Sequence, residues 1–340
     1  MINFIKKAGL AALVLGLAAQ ASALTLNGAG STFVYPIMNK WIYSYAQKTG
    51  VQINYASIGS GAGIHQLQER TVDFGASDAF MSPSQMKACG GTIIHIPDTM
   101  GAVCIAYNLP DLSKDTHLKF DGKLIADIYM GSVTNWNDPA IAAMNPDATL
   151  PDQKITVVHR ADGSGTTSIF TDYLTKVSTD WAGSVGHGTA VNWPVGVGGK
   201  GNEAVAGVVR NEAGAIGYVE LAYVLQTNMA YGLVKNRDGN YIAPSMDAVS
   251  KAAEGALKHM PSDFRVSFTD APGAESYPIS GFSWILIRPT IGDPDRGQAL
   301  VDFLKWAMVD GQKMAPSLDY APLPDSLVQK ILAKLDTVKF

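Results

Sequence analysis

The chain has 340 residues, 47% of them hydrophobic, with 26 basic and 30 acidic side chains and a net charge of −4. That is enough apolar material for about two domains of ordinary size. The acidic balance excludes the global positive field of a nucleic-acid binder, so any anionic ligand must be held by a local set of donors.

Lys6 and Lys7 precede an apolar stretch from Ala8 to Ala19 and then Ala21-Ser22-Ala23. This order reads as a cleavable secretory signal peptide over residues 1–23. The stretch is too short to cross a bilayer, which takes about 20 residues. No cysteine stands at the cleavage site, which argues against a lipid anchor. A mature chain from Leu24, with 24 basic against 30 acidic side chains, is therefore expected in a periplasm. In that oxidising compartment the even pair Cys89 and Cys104 invites a disulfide, two buried free thiols being the other reading.

From Leu24 the pattern repeats strand, glycine-rich loop, helix. Leu24 to Asn27 reads as a strand, Gly28 to Thr32 as a loop, and Val34 to Lys48 as an amphipathic helix. Val51 to Ser57, the loop Gly59 to Gly63, and Ile64 to Arg70 repeat it. A third strand, Val72 to Ala76, ends in Ser77-Asp78, with a helix from about Ser82. Lys154 to Val158 leads into "HRADGSGTTSIF", and a helix is expected from Thr167 to Val177. Such alternation predicts an α/β fold with parallel strands, whose ligands sit at the strands' carboxyl ends. No linker splits the chain. Two β-rich runs, Pro97 to Pro110 and Ala271 to Pro289, predict two crossings between discontinuous lobes. The expected division is residues 24–98 with 271–340 in one lobe and 99–270 in the other.

The loops carry the chemistry. A helix start offers unpaired N–H groups and partial positive charge, and is a ready anion site when hydroxyls surround it. Three such starts lie near Thr32, Ser60 and Ser164, and Arg160 adds a permanently charged fork. Each loop alone is better explained by ordinary helix capping; four donor-rich loops at equivalent strand ends shift the balance toward an anion. A nucleotide P-loop fails, because Gly163 to Thr167 has no lysine. Gly196 to Gly201 fits G-x-G-x-x-G with Glu220 downstream, but its place late in an exported chain argues against a dinucleotide. No nucleophile elbow surrounds Ser60 or Ser164, and the six histidines show no metal spacing. His159, beside Arg160 at a strand end, is expected to face away from the loop.

The segments "GAGSTFVYP", "NYASIGSGAGIHQL", "TVDFGASDA", "VVHRADGSGTTSIF", "VGVGGKGNEAV", "GAIGYVE" and "LDYAPLP" resemble, in order, the periplasmic phosphate-binding proteins of ABC-type phosphate importers. The resemblance spans about residues 26 to 324. It implies a type II periplasmic binding fold, two α/β lobes with a hinge and a ligand cleft between them. By motif it implies phosphate contacts from Thr32, Phe33 and Ser60, an acceptor at Asp78, and further donors from Arg160, Ser164, Gly165 and Thr166, with Asp162 orienting the arginine. It also implies a monomer with no cofactor or metal, working with a membrane permease and its ATPase. Gly61, where many relatives have serine, and His159, where arginine is frequent, depart from the pattern outside the ligand positions.

Asp78 is the informative member of this set. A buried carboxylate repels an anion unless a proton lies between them, and phosphate carries one near neutral pH whereas sulfate does not. The other reading of Asp78 is an N-cap for the helix near Ser82. For the whole chain, the alternatives are a binder of another tetrahedral oxyanion and an exported phosphoester hydrolase.

Overall fold

The computed structural model describes residues 24–113 and 115–340; the expected signal peptide lies outside the described residues. In chain order the strands are β1 (Thr25–Gly30), β2 (Gln52–Ser57), β3 (Phe74–Ser77), β4 (Ile94–Tyr107), β5 (Lys119–Phe120), β6 (Thr156–Arg160), β7 (Val197–Gly199), β8 (Ala215–Glu220), β9 (Ala230–Tyr231), β10 (Leu233–Lys235), β11 (Tyr241–Ile242) and β12 (Ser280–Ile287). A nine-stranded mixed sheet runs β2-β1-β3-β12-β4-β8-β6-β7, with β9 added to β4; β11, β10 and β5 form a small second sheet.

The parallel pairs β1–β2, β1–β3, β6–β7 and β6–β8 are the ones the strand–loop–helix pattern anticipates. β12 and β4 are inserted antiparallel between the two parallel groups. All fourteen residues of β4 are buried, as in a strand covered on both faces, the polar His95, Asp98 and Thr99 included. Its residues Ile94 to Ala102 pair with β12, while Val103 to Tyr107 pair with β8. One strand therefore belongs to both halves of the sheet, and the division expected at residues 98 and 99 falls inside it.

Helices α1 (Tyr35–Thr49), α2 (Ser60–Gln68) and α3 (Pro83–Ala88) follow β1, β2 and β3. α1 buries Ile37, Met38, Trp41 and Tyr45 on one stripe, and Gly50 ends it in the left-handed conformation. Each fully buried large apolar side chain there contributes about 1.5–3 kcal/mol. α2 starts at Ser60, four residues before the expected Ile64. Gly59, with φ of 91°, makes the turn, so the small polar residues after it form the first helical turn.

Cys89 and Cys104 are buried and unjoined, so the expected disulfide is absent. The geometry of β4 forbids it. Cys89 ends α3 five residues before Ile94, and Cys104 lies ten residues beyond Ile94 along an extended strand. Those ten residues span roughly 30 Å; five residues reach back at most about 17 Å; a disulfide needs Cα atoms within about 7 Å. Thiol titration of the unfolded, unreduced protein is expected to find two reactive thiols per chain, and reductant is expected to leave the melting temperature unchanged.

Candidate functional site

The carboxyl ends of β1, β2, β3 and β6 converge on one buried place. Thr32, Phe33, Ser60, Asp78, Arg160, Ser164 and Thr166 are each at most 3% exposed. The loop after β1 turns on Ser31, whose hydroxyl accepts from the Phe33 amide (3.0 Å) and donates to the Asp78 carboxylate. The Thr32 hydroxyl accepts from the backbone and side-chain amides of Asn202, at 3.1 and 2.9 Å. Its carbonyl accepts from the Tyr223 hydroxyl at 2.6 Å, and the Phe33 carbonyl from that of Tyr320, also at 2.6 Å.

The helix Gly165–Val177 brings its amino end to the same point. Ser164 caps it, accepting from the Thr167 amide at 3.0 Å. The Ser60 hydroxyl accepts from the Gly165 amide (3.0 Å) and the Asp78 amide (3.3 Å). Two backbone N–H groups from loops 87 residues apart thus aim at one oxygen. A Cβ at Gly165 would stand 2.5 Å from the Asp78 nitrogen, so the approach requires glycine. Gly165→Ala is expected to wedge this contact apart at about 1–3 kcal/mol. It should weaken anion binding about 10- to 100-fold in calorimetric titration and lower the melting temperature by a few degrees. Gly61 has a similar reason: its Cβ would lie 3.0 Å from the Gly163 Cα, while its amide donates to the Gly163 carbonyl at 2.8 Å.

Arg160 enters from β6. Its Nε and Nη2 form a bidentate pair with Asp162 at 2.8 and 2.5 Å, and Nη1 reaches the Thr166 hydroxyl at 3.4 Å. Asp162 also accepts from the Gly201 amide at 3.0 Å. Burial pushes the Asp162 carboxyl up, but the Arg160 hydrogen bonds and charge outweigh it and hold it below the usual range. The arginine is thus held on one edge by the Asp162 carboxylate. His159 points the other way and stacks on Trp193, ring centroids 4.8 Å apart.

Asp78 is not a helix cap; Ser82 caps α3 through a reciprocal capping box with Gln85. Burial raises the Asp78 carboxyl to about 6, against the opposing hydrogen bonds of Ser31, Ser283 and Ser60 and the charge of Arg160. At neutral pH it is an ionised acceptor set among donors. A cavity of about 620 Å³ opens beside it, lined among others by Phe80, Ile169, Asp172, Phe282 and Trp284. Of the residues gathered at the strand ends, Asp78 is the one on its wall.

Sequence reasoning missed Asn202, Ser31, Tyr218, Tyr223 and Tyr320. Asn202 joins Thr32 to Thr166, which its side-chain amide reaches at 3.1 Å, across the two halves of the sheet. Tyr218 takes the Arg160 amide at 3.0 Å and contacts the Thr167 hydroxyl at 2.6 Å. Only Ser31, next to Thr32 in a hydroxyl-rich loop, had a local signal. Within the G-x-G-x-x-G segment Val197–Gly199 form the strand β7 and Gly201 begins the helix after it, and Glu220 caps a helix through the Ala222 amide. Among the described residues no group of three or more His, Cys, Asp or Glu side chains is placed to hold a metal ion.

A family model described as a PBP superfamily domain matches residues 17–310. The phosphate-binding protein PstS of Xylella fastidiosa (strain 9a5c) is 44% identical over 316 residues, covering 93% of this chain and 86% of that one. PstS of Haemophilus influenzae is 41% identical, covering 98% of both. Among solved structures, a putative phosphate ABC transporter substrate-binding protein with bound phosphate from Clostridium perfringens aligns with a TM-score of 0.63 at 19% identity, covering 88% of this chain and all of the other. A phosphate-binding protein from Stenotrophomonas maltophilia gives 0.71 at 18% identity, covering 92% and 94%. At these identities the structural likeness concerns the fold.

Proposed function

Since the chain belongs to the PBP superfamily and, within it, to the PstS phosphate-binding proteins, we propose that it binds inorganic phosphate in the periplasm and delivers it to an ABC importer. The observation that carries this reading is a buried nest of donors from both halves of the sheet, with one carboxylate acceptor among them. Thr32, Phe33, Ser60 and Asp78 come from one side, and Arg160, Ser164, Gly165 and Thr166 from the other. The Gly165 and Asp78 amides that converge on the Ser60 hydroxyl are the kind of N–H pair an oxyanion takes.

In this reading residues 24–98 with 271–340 form one lobe and 99–270 the other, and β4 is one of the two strands of chain between them. Only the closed arrangement unites all contacts, so phosphate favours closure by their sum. Charge-assisted hydrogen bonds contribute roughly 1.5–3 kcal/mol each. A handful, less desolvation and closure, reaches about −8 kcal/mol, micromolar or tighter. The closed monomer docks on a membrane permease driven by its ATPase. The chain's role is carriage, with no bond made or broken.

Calorimetric titration of the mature, phosphate-stripped protein tests the reading. One phosphate per chain, with sulfate silent at neutral pH, is expected; no heat from phosphate, or equal competition by sulfate, overturns it. The same titration carries a pH signature. Below about 6 the Asp78 carboxyl takes a proton and becomes a donor, so sulfate binding should appear as pH falls through that value. Because this acid holds its proton more tightly folded than unfolded, stability of the empty protein should also rise as pH falls through the same range.

A further inference from the structure

β4 carries an irregularity beside the site. Thr99 faces Ser283 and Pro97 faces Trp284, so Asp98 stands between them with no counterpart in β12. This is a β-bulge, which re-aims a side chain out of the strand's alternation, and Pro97, with no N–H to give, is tolerated at such a place. Asp98 is fully buried. Both of its carboxyl oxygens, and the hydroxyls of Thr99 and Ser283, lack a hydrogen-bond partner. Buried polar groups left unsatisfied in a group of this kind call for an explanation.

The surroundings supply one. Burial pushes the Asp98 carboxyl well above the usual range, and the Asp78 carboxylate adds to the effect. These outweigh the Thr99 and Asp98 amides and the Ser283 hydroxyl, which favour the ionised form, and push Asp98 toward the neutral acid, which has one O–H to donate. The Ser283 hydroxyl lies against both carboxyls and favours the ionised form of each, though short of full hydrogen-bond geometry with either. A hydroxyl has one proton to give and lone pairs with which to accept. With one acid neutral and the other ionised, the chain of hydrogen bonds has one direction.

We infer that Asp98 is a positioning residue for the anion site: its neutral carboxyl donates to Ser283, whose hydroxyl then donates to Asp78 and keeps Asp78 an acceptor toward the bound anion. The inference rests on the phosphate reading above. The other groups around the pair fit this direction. Asp78 meets the Ser31 hydroxyl, Ser60 and the Arg160 charge. Glu220, which also feels Asp78, is pushed toward its neutral form by burial, against the Ala222 amide and Tyr320 hydroxyl. Tyr55, which feels both aspartates and Glu203, is likewise held neutral by burial. On the backbone side the Gln312 amide donates to the Asp98 carbonyl at 2.8 Å.

The test is the ratio of sulfate to phosphate affinity, measured by calorimetry from below to above the Asp78 midpoint of about 6. Removing the donation to Asp78 makes its carboxylate harder to ionise. Ser283→Ala and Asp98→Leu should each move the midpoint of sulfate exclusion upward by about one pH unit, a tenfold change in proton affinity. The double variant should move it no further than either single one. Asp98→Asn, which keeps a donor at the same place, should restore the wild-type midpoint. An unmoved midpoint in Ser283→Ala, additive shifts, or an Asp98→Asn variant that behaves like Asp98→Leu would overturn the inference while leaving the phosphate reading intact. A wild type that binds no phosphate overturns both.

Discussion

Asp78→Asn is expected to admit sulfate. In the wild type a sulfate oxygen would face the buried, ionised Asp78 with no proton between them, and a site built on such a hydrogen bond rejects an analogue lacking the donor by about 10⁴- to 10⁵-fold. Asparagine keeps the shape, removes the charge and offers an N–H to the anion. The preference for phosphate over sulfate should collapse to within about tenfold, mainly through sulfate binding more tightly. The substitution also relieves a buried charge that already resists ionisation, so the folded protein should be no less stable. Competition calorimetry with both anions at neutral pH reads the first effect, and denaturant unfolding the second. A variant that still excludes sulfate would remove Asp78 from the selectivity mechanism.

Arg160→Ala should produce the largest loss of binding, with a separable loss of stability. The side chain is 1% exposed and its partner Asp162 only 11%. Deleting one member of a buried pair leaves an uncompensated charge and costs roughly 3–5 kcal/mol. Two charge-assisted contacts to the anion lost at about 1.5–3 kcal/mol each would lower affinity roughly 10²- to 10⁴-fold. Adding Asp162→Asn to Arg160→Ala should recover much of the stability, because the orphan carboxylate is gone, and none of the affinity. Recovery of both would mean that the arginine acts by holding the loop rather than by touching the ligand.

Much of the site was legible because its signals are local. Glycines and hydroxyls between an apolar strand and an apolar-striped helix mark residues 28–33, 59–63 and 163–167, whatever the tertiary fold. Asp78 stood out as an acid in an otherwise donor-rich set. What was not legible depends on contacts distant in sequence. Asn202 meets Thr32 across 170 residues, and nothing in "GGKGNEAV" distinguishes such a bridge from a helix start. Asp98 sat in a run read simply as a crossing strand. Its importance comes from a bulge, which appears only when the register against β12 is known. The cysteines misled for a related reason: an even pair suggests a bond, but β4 holds Cys104 far along an extended strand. Helix starts were placed late at Ile64 and Thr167, because small polar residues that form a first turn resemble a loop.

A crystal structure of the phosphate complex would test the central claim most directly. The expected result is one phosphate touching Thr32, Ser60, Arg160, Ser164, Gly165 and Thr166 together, with an Asp78 oxygen at about 2.5–2.7 Å from a phosphate oxygen, the length of an O–H···O⁻ bond. An anion bound elsewhere, or Asp78 turned away from it, would contradict the account.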